Sequence, residues 1–291
     1  MRQEAYFCTV KELDELGKNN IPRQLISHTH LIYSSPATLA FNSPGAEGFG
    51  VKRAGLAVPD SVMLIVSPGC CGRNTSVLSS MRAYQDRFYY LLMDETDIVT
   101  GRHLKKIPKA VAEICEGLKK KPSVVMICIT CVDALLGTDM ERVCHKAEEY
   151  AGVPVRPCYM YALTREGRKP PMVHVRQSVY SLLEPKKKKG NVVNLLGYFS
   201  PLTDDCELYD LLHGAGVKTI HEISRCKDYA QYQTMSEANF NLVLHPEARF
   251  AAEDFHDRLK IPYIELRRLY QIDKIASQYR ALAAALGVEF E

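Results

Sequence analysis

The sequence contains no apolar run long enough to cross a membrane. Its longest apolar stretches, at residues 62–66 and 124–127, fall far short of the roughly 18 to 20 residues that a membrane-spanning helix needs. The N-terminal segment is polar and charged and lacks the apolar core of a secretory signal. Together these features predict a cytoplasmic protein with no membrane partner.

The sequence also lacks a strong excess of charge of either sign. It has 37 basic and 34 acidic residues, a formal net charge of +3, and no stripe of basic and aromatic side chains, so we expect no nucleic-acid partner. The phosphate-binding pattern GxxxxGK(S/T) is missing as well. We therefore expect no P-loop nucleotide site in this chain.

Strand-like and helix-like segments alternate along most of the chain. Buried-strand patterns at residues 61–66 and 124–129 flank a helical pattern at residues 101–120. Such alternation is typical of parallel sheets covered by helices on both faces. Residues 34–55, rich in Ser, Pro, Gly and Ala, predict a wrapping loop. The sequence therefore predicts an α/β protein with two doubly wound, Rossmann-like parallel sheets.

A charge run marks the predicted domain boundary. Residues 184–190 read EPKKKKG, and such a run is typically a solvated connection, although it also suits the binding of an acidic partner surface. The length of 291 residues fits two domains of ordinary size. We predict an N-terminal α/β domain over residues 1–187, which would carry the cluster site discussed next, and a second Rossmann-like domain over residues 188–291.

Three of the ten cysteines follow predicted strands. Cys70 and Cys71 come directly after the strand at 61–66, and Cys131 comes directly after the strand at 124–129. Ligands bind α/β sheets at the carboxyl ends of the strands, and thiolates suit iron–sulfur clusters or zinc. From the residues alone, metal binding and plain burial of these thiols both stay open. Other cysteines are expected at core or helix positions, namely Cys115, Cys144, Cys158, Cys206 and Cys226.

His245 is a further candidate, for substrate binding. It stands at the carboxyl end of a predicted strand and precedes Pro246, a position from which a side chain can face a ligand. A packing role is the alternative.

Three stretches give the chain a resemblance to a known family. Residues 66–72, VSPGCCG, resemble a turn written HGPxGC, and residues 94–101, DETDIVTG, resemble an acidic segment that precedes a long helix. Residues 129–141, ITCVDALLGTDME, resemble a pattern written xxCxxxxIGDDIE. All three patterns belong to the nitrogenase component 1 superfamily, which includes nitrogenase molybdenum–iron protein subunits, dark-operative protochlorophyllide reductase subunits and cofactor scaffolds.

The resemblance implies a cluster site and two partners. In that family such cysteines hold an iron–sulfur cluster at the interface of two similar subunits, which makes Cys70, Cys71 and Cys131 the expected metal ligands here. A second component-1-like subunit, identical or different, would complete the site. An ATP-hydrolysing iron protein would donate electrons, and it would carry the P-loop that this chain lacks.

Departures from the family pattern change which cluster and which reaction we expect. The family usually has another cysteine in the region of residues 42–45, which here read NSPG, so we expect a [4Fe-4S] cluster instead of an eight-iron P-cluster. Cys70 or the second subunit would supply the remaining ligand. In the family, a cysteine that anchors the cofactor stands at the position near His245, and this chain has no cysteine there. The chain also lacks the family's third domain, so we do not expect dinitrogen reduction.

Two functions follow from the resemblance. The first is a subunit of a nitrogenase-like, ATP-dependent reductase that relays electrons through the interface cluster to a small molecule or a tetrapyrrole. The alternative is a non-catalytic scaffold or carrier for metallocofactor assembly. A binding module that has lost its cluster is a third interpretation.

Overall fold

The computed structural model describes residues 9–20, 44–69, 79–130, 136–160 and 169–289. Within them the chain forms two four-stranded sheets in which every strand pair is parallel. Helices cover both faces of each sheet. The predicted α/β class with two doubly wound parallel sheets is confirmed.

The first sheet has the strand order β2-β1-β3-β4. Its strands are β1 (Val62–Ser67), β2 (Phe88–Leu92), β3 (Val125–Ile129) and β4 (Val155–Tyr159). The two central strands, β1 and β3, are buried along their whole length, which explains why both are continuous apolar runs instead of alternating ones.

The second sheet repeats this order as β6-β5-β7-β8. Its strands are β5 (Val192–Leu196), β6 (Thr219–His221), β7 (Phe240–Val243) and β8 (Tyr263–Glu265). In each sheet, the first and third strands in chain order lie side by side at the centre, and the second and fourth strands form the edges.

Ten α-helices lie in the described residues, and they are α1 (Val10–Leu16), α2 (Pro44–Gly55), α3 (Glu95–Thr100), α4 (His103–Gly117), α5 (Met140–Ala151), α6 (Pro171–Tyr180), α7 (Glu207–Gly214), α8 (Tyr229–Gln233), α9 (Arg249–Leu259) and α10 (Ile272–Leu286). Two of these helices end at a glycine: α5 stops at Gly152 and α10 stops at Gly287. Both glycines adopt left-handed backbone angles, which glycine tolerates well. None of the described helices is long and apolar enough to cross a membrane.

One expectation was wrong. Residues 44–55 of the predicted loop form helix α2, while residues 34–43 lie outside the described part. Tertiary packing overrides the weak helix propensity of its glycines, because Val51 and Ala54 are buried in an apolar cluster with the sheet. Gly55 approaches that sheet closely, since a Cβ there would lie 2.7 Å from Met63 Cε and 2.9 Å from Cys158 Sγ.

The largest apolar cluster spans both sides of the predicted boundary. It joins Val179 on α6 to Leu196 on β5 and Phe255 on α9. The lysine run is mostly exposed, as in a solvated connection, yet two of its lysines are anchored: Lys188 Nζ donates to the Ser236 carbonyl at 2.6 Å, and Lys189 pairs with Glu237 at 2.5 Å. The division at residues 187 and 188 stays a prediction, and the two sheets share a core across it.

Candidate functional site

The first sheet has a topological switch point between β1 and β3. The chain leaves β1 for β2 on one side and leaves β3 for β4 on the other, so the loops after β1 and β3 diverge from two adjacent strand ends. Val66 is paired with Ile129 in the parallel register. Open α/β sheets bind ligands at such a point.

The predicted cluster cysteines belong to these two loops. Cys70 and Cys71 follow β1, and Cys131 follows β3, but all three lie outside the described residues. Their ligand role therefore stays a prediction. The residues that precede them, Ser67 and Thr130, are described, and both sit at the switch point.

Ser67 and Thr130 are buried with unsatisfied hydroxyls. These residues are only 0% and 1% exposed, and within the described part of the chain neither Ser67 Oγ nor Thr130 Oγ1 has a hydrogen-bond partner. An unpaired buried polar group typically costs about 1–3 kcal/mol. Two unused donors at the strand ends that lead into the predicted cysteine loops fit a bound group whose sulfur atoms accept hydrogen bonds. The described edge of this sheet is thus compatible with an iron–sulfur cluster.

The buried cysteines among the described residues are unsuited to metal ligation. Cys115, Cys144 and Cys158 are buried, as predicted, while Cys206 and Cys226 are half-buried. Burial raises the pKa of the Cys128 thiol to about 12, and it raises that of Cys158 well above its usual value. Such thiols stay protonated at neutral pH, and a metal needs the thiolate. Across the described ranges, no group of three or more His, Cys, Asp or Glu side chains could hold a metal ion.

His245 lies at the switch point of the second sheet. Gly197 directly follows β5, and His245 lies just beyond β7, the strand adjacent to β5. A Cβ on Gly197 would lie 2.7 Å from the His245 amide nitrogen. Gly197 also has a φ of +133°, which favours glycine. The backbones of the two loops therefore meet directly beside the histidine.

The His245 imidazole is held in a defined orientation. Its ring packs edge-on against Tyr198 with centroids 5.6 Å apart, and its Nδ1 accepts a hydrogen bond from the Glu247 amide at 3.3 Å. Partial burial and then the Arg176 cation lower its pKa, and the Glu247 carboxylate opposes them. The ring is therefore neutral at pH 7, with Nε2 left to carry the proton.

Arg176 on α6 organises this switch point, and the sequence reasoning missed it. Its side chain is 5% exposed. Nε and Nη2 donate to the Gly197 carbonyl at 3.0 and 2.7 Å, and Nη1 donates to Glu247 Oε2 at 2.8 Å. The available signal was an arginine with apolar residues three and four positions away on both sides in a predicted helix, at 172, 173, 179 and 180, which indicates a buried, paired cation.

His174, two residues earlier on α6, faces the first sheet. Its ring packs at 4.4 Å and nearly perpendicular to that of Tyr159, the last residue of β4. Burial, followed by the Lys169 charge, lowers the pKa of His174 to about 4. Helix α6 thus places His174 at the carboxyl edge of the first sheet and Arg176 at the carboxyl edge of the second sheet.

Comparisons with known proteins agree with this architecture. The model of the family described as nitrogenase component 1 type oxidoreductase matches residues 47–291. The nitrogenase iron-molybdenum cofactor biosynthesis protein NifE of Nostoc sp. is 27% identical over 239 residues, covering 79% of this chain and 49% of that protein. Its counterpart in Klebsiella pneumoniae is 27% identical over 266 residues, covering 84% and 58%.

A solved structure shares the fold. Nitrogenase Cp1, solved at pH 6.5, superposes with a TM-score of 0.62 at 18% identity, over 83% of this chain and 57% of that one. The chain spans about half the length of the curated relatives that it matches. Since the family model covers most of the sequence, this chain belongs to the nitrogenase component 1 type oxidoreductases.

Proposed function

We propose that this chain is a non-catalytic scaffold or carrier that holds an iron–sulfur cluster or metallocofactor precursor during assembly. Its similarity to cofactor biosynthesis proteins over about four fifths of its length carries the proposal. The unsatisfied polar edge between β1 and β3 supports it, because a carrier needs a site that is completed by its cargo.

The ligands in this proposal are Cys70, Cys71 and Cys131. A [4Fe-4S] cluster needs four protein ligands. These cysteines supply three if Cys70 and Cys71 both bind and two if only one of them does, so a second component-1-like subunit supplies the rest. When bound, the cluster supplies a redox-active inorganic centre at the subunit interface. The chain's own contribution is to hold thiolates at adjacent strand ends and to exclude water with the buried core beneath them.

His245 is the candidate contact for a bound precursor or small molecule. Its Nδ1 is occupied by the Glu247 amide, which leaves Nε2 to meet a ligand. Arg176 fixes both neighbours of the histidine, the Gly197 carbonyl and the Glu247 carboxylate. A neutral, fixed imidazole can bind a polar group without rearrangement.

The second candidate is an electron-relaying subunit of a nitrogenase-like, ATP-dependent reductase. The description of the matching family as oxidoreductases favours it. In that case an ATP-hydrolysing iron protein delivers electrons, and the substrate is a small molecule or a tetrapyrrole other than dinitrogen. Cytoplasmic location is part of both proposals.

Anaerobic loading separates the two functions. The purified protein, with any co-purifying subunit, is reconstituted with iron and sulfide and analysed for metal content and by EPR. A scaffold transfers its cargo once to an apo-acceptor protein, whereas a reductase subunit, given an iron protein and ATP, reduces many substrate molecules per cluster. Repeated turnover would contradict the scaffold proposal.

Variants assign the ligands in the same assay. Cys71→Ser and Cys131→Ser should lose iron, whereas Cys206→Ser, at a half-buried helix start outside the cysteine loops, should retain it. If all three variants load as the wild type does, the proposed cluster site is wrong.

A further inference from the structure

We propose that the hydroxyls of Ser67 and Thr130 donate hydrogen bonds to sulfur atoms of the cluster held by the cysteine loops, and so raise its reduction potential. The inference rests on the proposed cluster site and adds two positioning residues to it. Both belong to the described sheet edge.

The first support is the difference between these two hydroxyls and other buried ones. Five serine and threonine residues are buried in the described chain, and they are Ser61, Ser67, Thr130, Ser178 and Ser236. Ser61 accepts from Arg87 at 2.8 Å, Ser178 pairs with His174 at 3.3 Å, and Ser236 donates to the Gln233 carbonyl at 2.9 Å. Of these five described residues, only the two at the switch point have a hydroxyl with no partner. The buried hydroxyls of Tyr180 and Ser224 also lack one, but neither residue lies at the switch point of the first sheet.

The second support is their position. Thr130 directly precedes Cys131, and Ser67 lies at the end of β1, three residues before Cys70. Because Val66 and Ile129 are paired in the register, these two hydroxyl-bearing residues come next on adjacent strands. Each predicted cysteine loop therefore begins beside one unused donor.

The chemistry of the group decides the direction of the effect. Thiolates and sulfides make an iron–sulfur cluster an acceptor of hydrogen bonds, and reduction adds negative charge to it. Donors stabilise the more negative, reduced form more strongly, so hydrogen bonds to sulfur raise the potential. Removing either hydroxyl should lower the potential without removing a ligand.

The test uses the full chain with its natural partner subunit, if one co-purifies. Ser67→Ala and Thr130→Val remove the hydroxyls with little change of shape, and Thr130→Ser keeps a donor. Ser236→Ala is the matched control, because it removes a buried but partnered hydroxyl away from the edge. Potentials are measured by EPR-monitored redox titration, and iron content and thermal unfolding of the apoprotein are measured alongside.

We expect Ser67→Ala and Thr130→Val to lower the potential at unchanged iron content, and Thr130→Ser to keep it near the wild-type value. Their apoproteins should unfold at or above the wild-type temperature, since no hydrogen bond is lost. Ser236→Ala should instead lower the unfolding temperature and leave the potential unchanged.

Unchanged potentials in both variants of a loaded protein would overturn this inference and leave the cluster site standing. A wild-type protein that binds no iron would overturn both. Loss of iron from the two variants with intact apoprotein folding would also overturn this inference, because it would show that these residues hold the cluster instead of tuning its potential.

Discussion

Gly197 and His245 meet backbone to backbone at the switch point of the second sheet, where a Cβ on Gly197 would lie 2.7 Å from the His245 amide nitrogen and 2.8 Å from the His245 Cβ. The glycine also carries a φ of +133°. This contact brings the loop after β5 against the loop after β7, and it fixes where the histidine stands.

The contact predicts that Gly197→Ala is strongly destabilising. A strained φ and an overpacked contact each typically cost about 1–3 kcal/mol, so we expect a loss of about 2–4 kcal/mol in the free energy of unfolding, measured in urea. Gly216→Ala is the control, because Gly216 has a φ of +82° and a Cβ added there would meet no described atom within 4 Å. Equal losses in both variants would contradict a role for the contact.

The charges around His245 predict opposite shifts of its pKa. Glu247→Gln should lower the pKa, because the carboxylate stabilises the imidazolium, and Arg268→Gln should raise it, because that cation disfavours the imidazolium. NMR titration of the His245 ring measures both. His256, an exposed histidine, serves as an internal reference that neither substitution should move.

Burial of His174 predicts a loss of stability in mild acid. Its folded pKa of about 4 lies below the roughly 6.5 of a free histidine, so the unfolded chain binds more protons between these values. Stability should be fully present above about pH 6.5 and should fall as the pH drops toward 4, by roughly 2–3 kcal/mol from this residue. Urea unfolding across that range should show a weaker pH dependence for His174→Gln.

A matched variant distinguishes His174 from other histidines. His145 is exposed on α5, so His145→Gln should keep the wild-type pH dependence. If both variants follow the wild type, His174 does not carry the effect.

Thiol burial predicts a pattern of alkylation. Cys128 and Cys158 are fully buried with raised pKa values, so iodoacetamide at pH 8 should leave both unmodified in the folded protein, as mass spectrometry can show. Half-buried Cys206 should react. Loading with iron and sulfide should reduce labelling of Cys70, Cys71 and Cys131 but not of Cys206; equal labelling before and after loading would count against their ligation.

Much of the fold could be predicted from local pattern. The apolar runs in β1 and β3 identified buried strands, since a parallel strand covered on both faces needs apolar side chains at every position. Helix α2 could not be predicted, because its glycines favour a loop and its burial against the sheet comes from residues far along the chain.

The sequence by itself determined most of the strands and helices, helix α2 excepted, and it set cysteines after two strands, because hydrophobic periodicity and turn residues act over a few positions. Only the tertiary structure decided the strand orders β2-β1-β3-β4 and β6-β5-β7-β8, which make those strands neighbours and create two switch points. Only the tertiary structure shows that Arg176 donates hydrogen bonds to the Gly197 carbonyl. It also shows that the Ser67 and Thr130 hydroxyls have no partners among the described residues. Strand order and side-chain burial arise from contacts between distant segments, which no local pattern encodes.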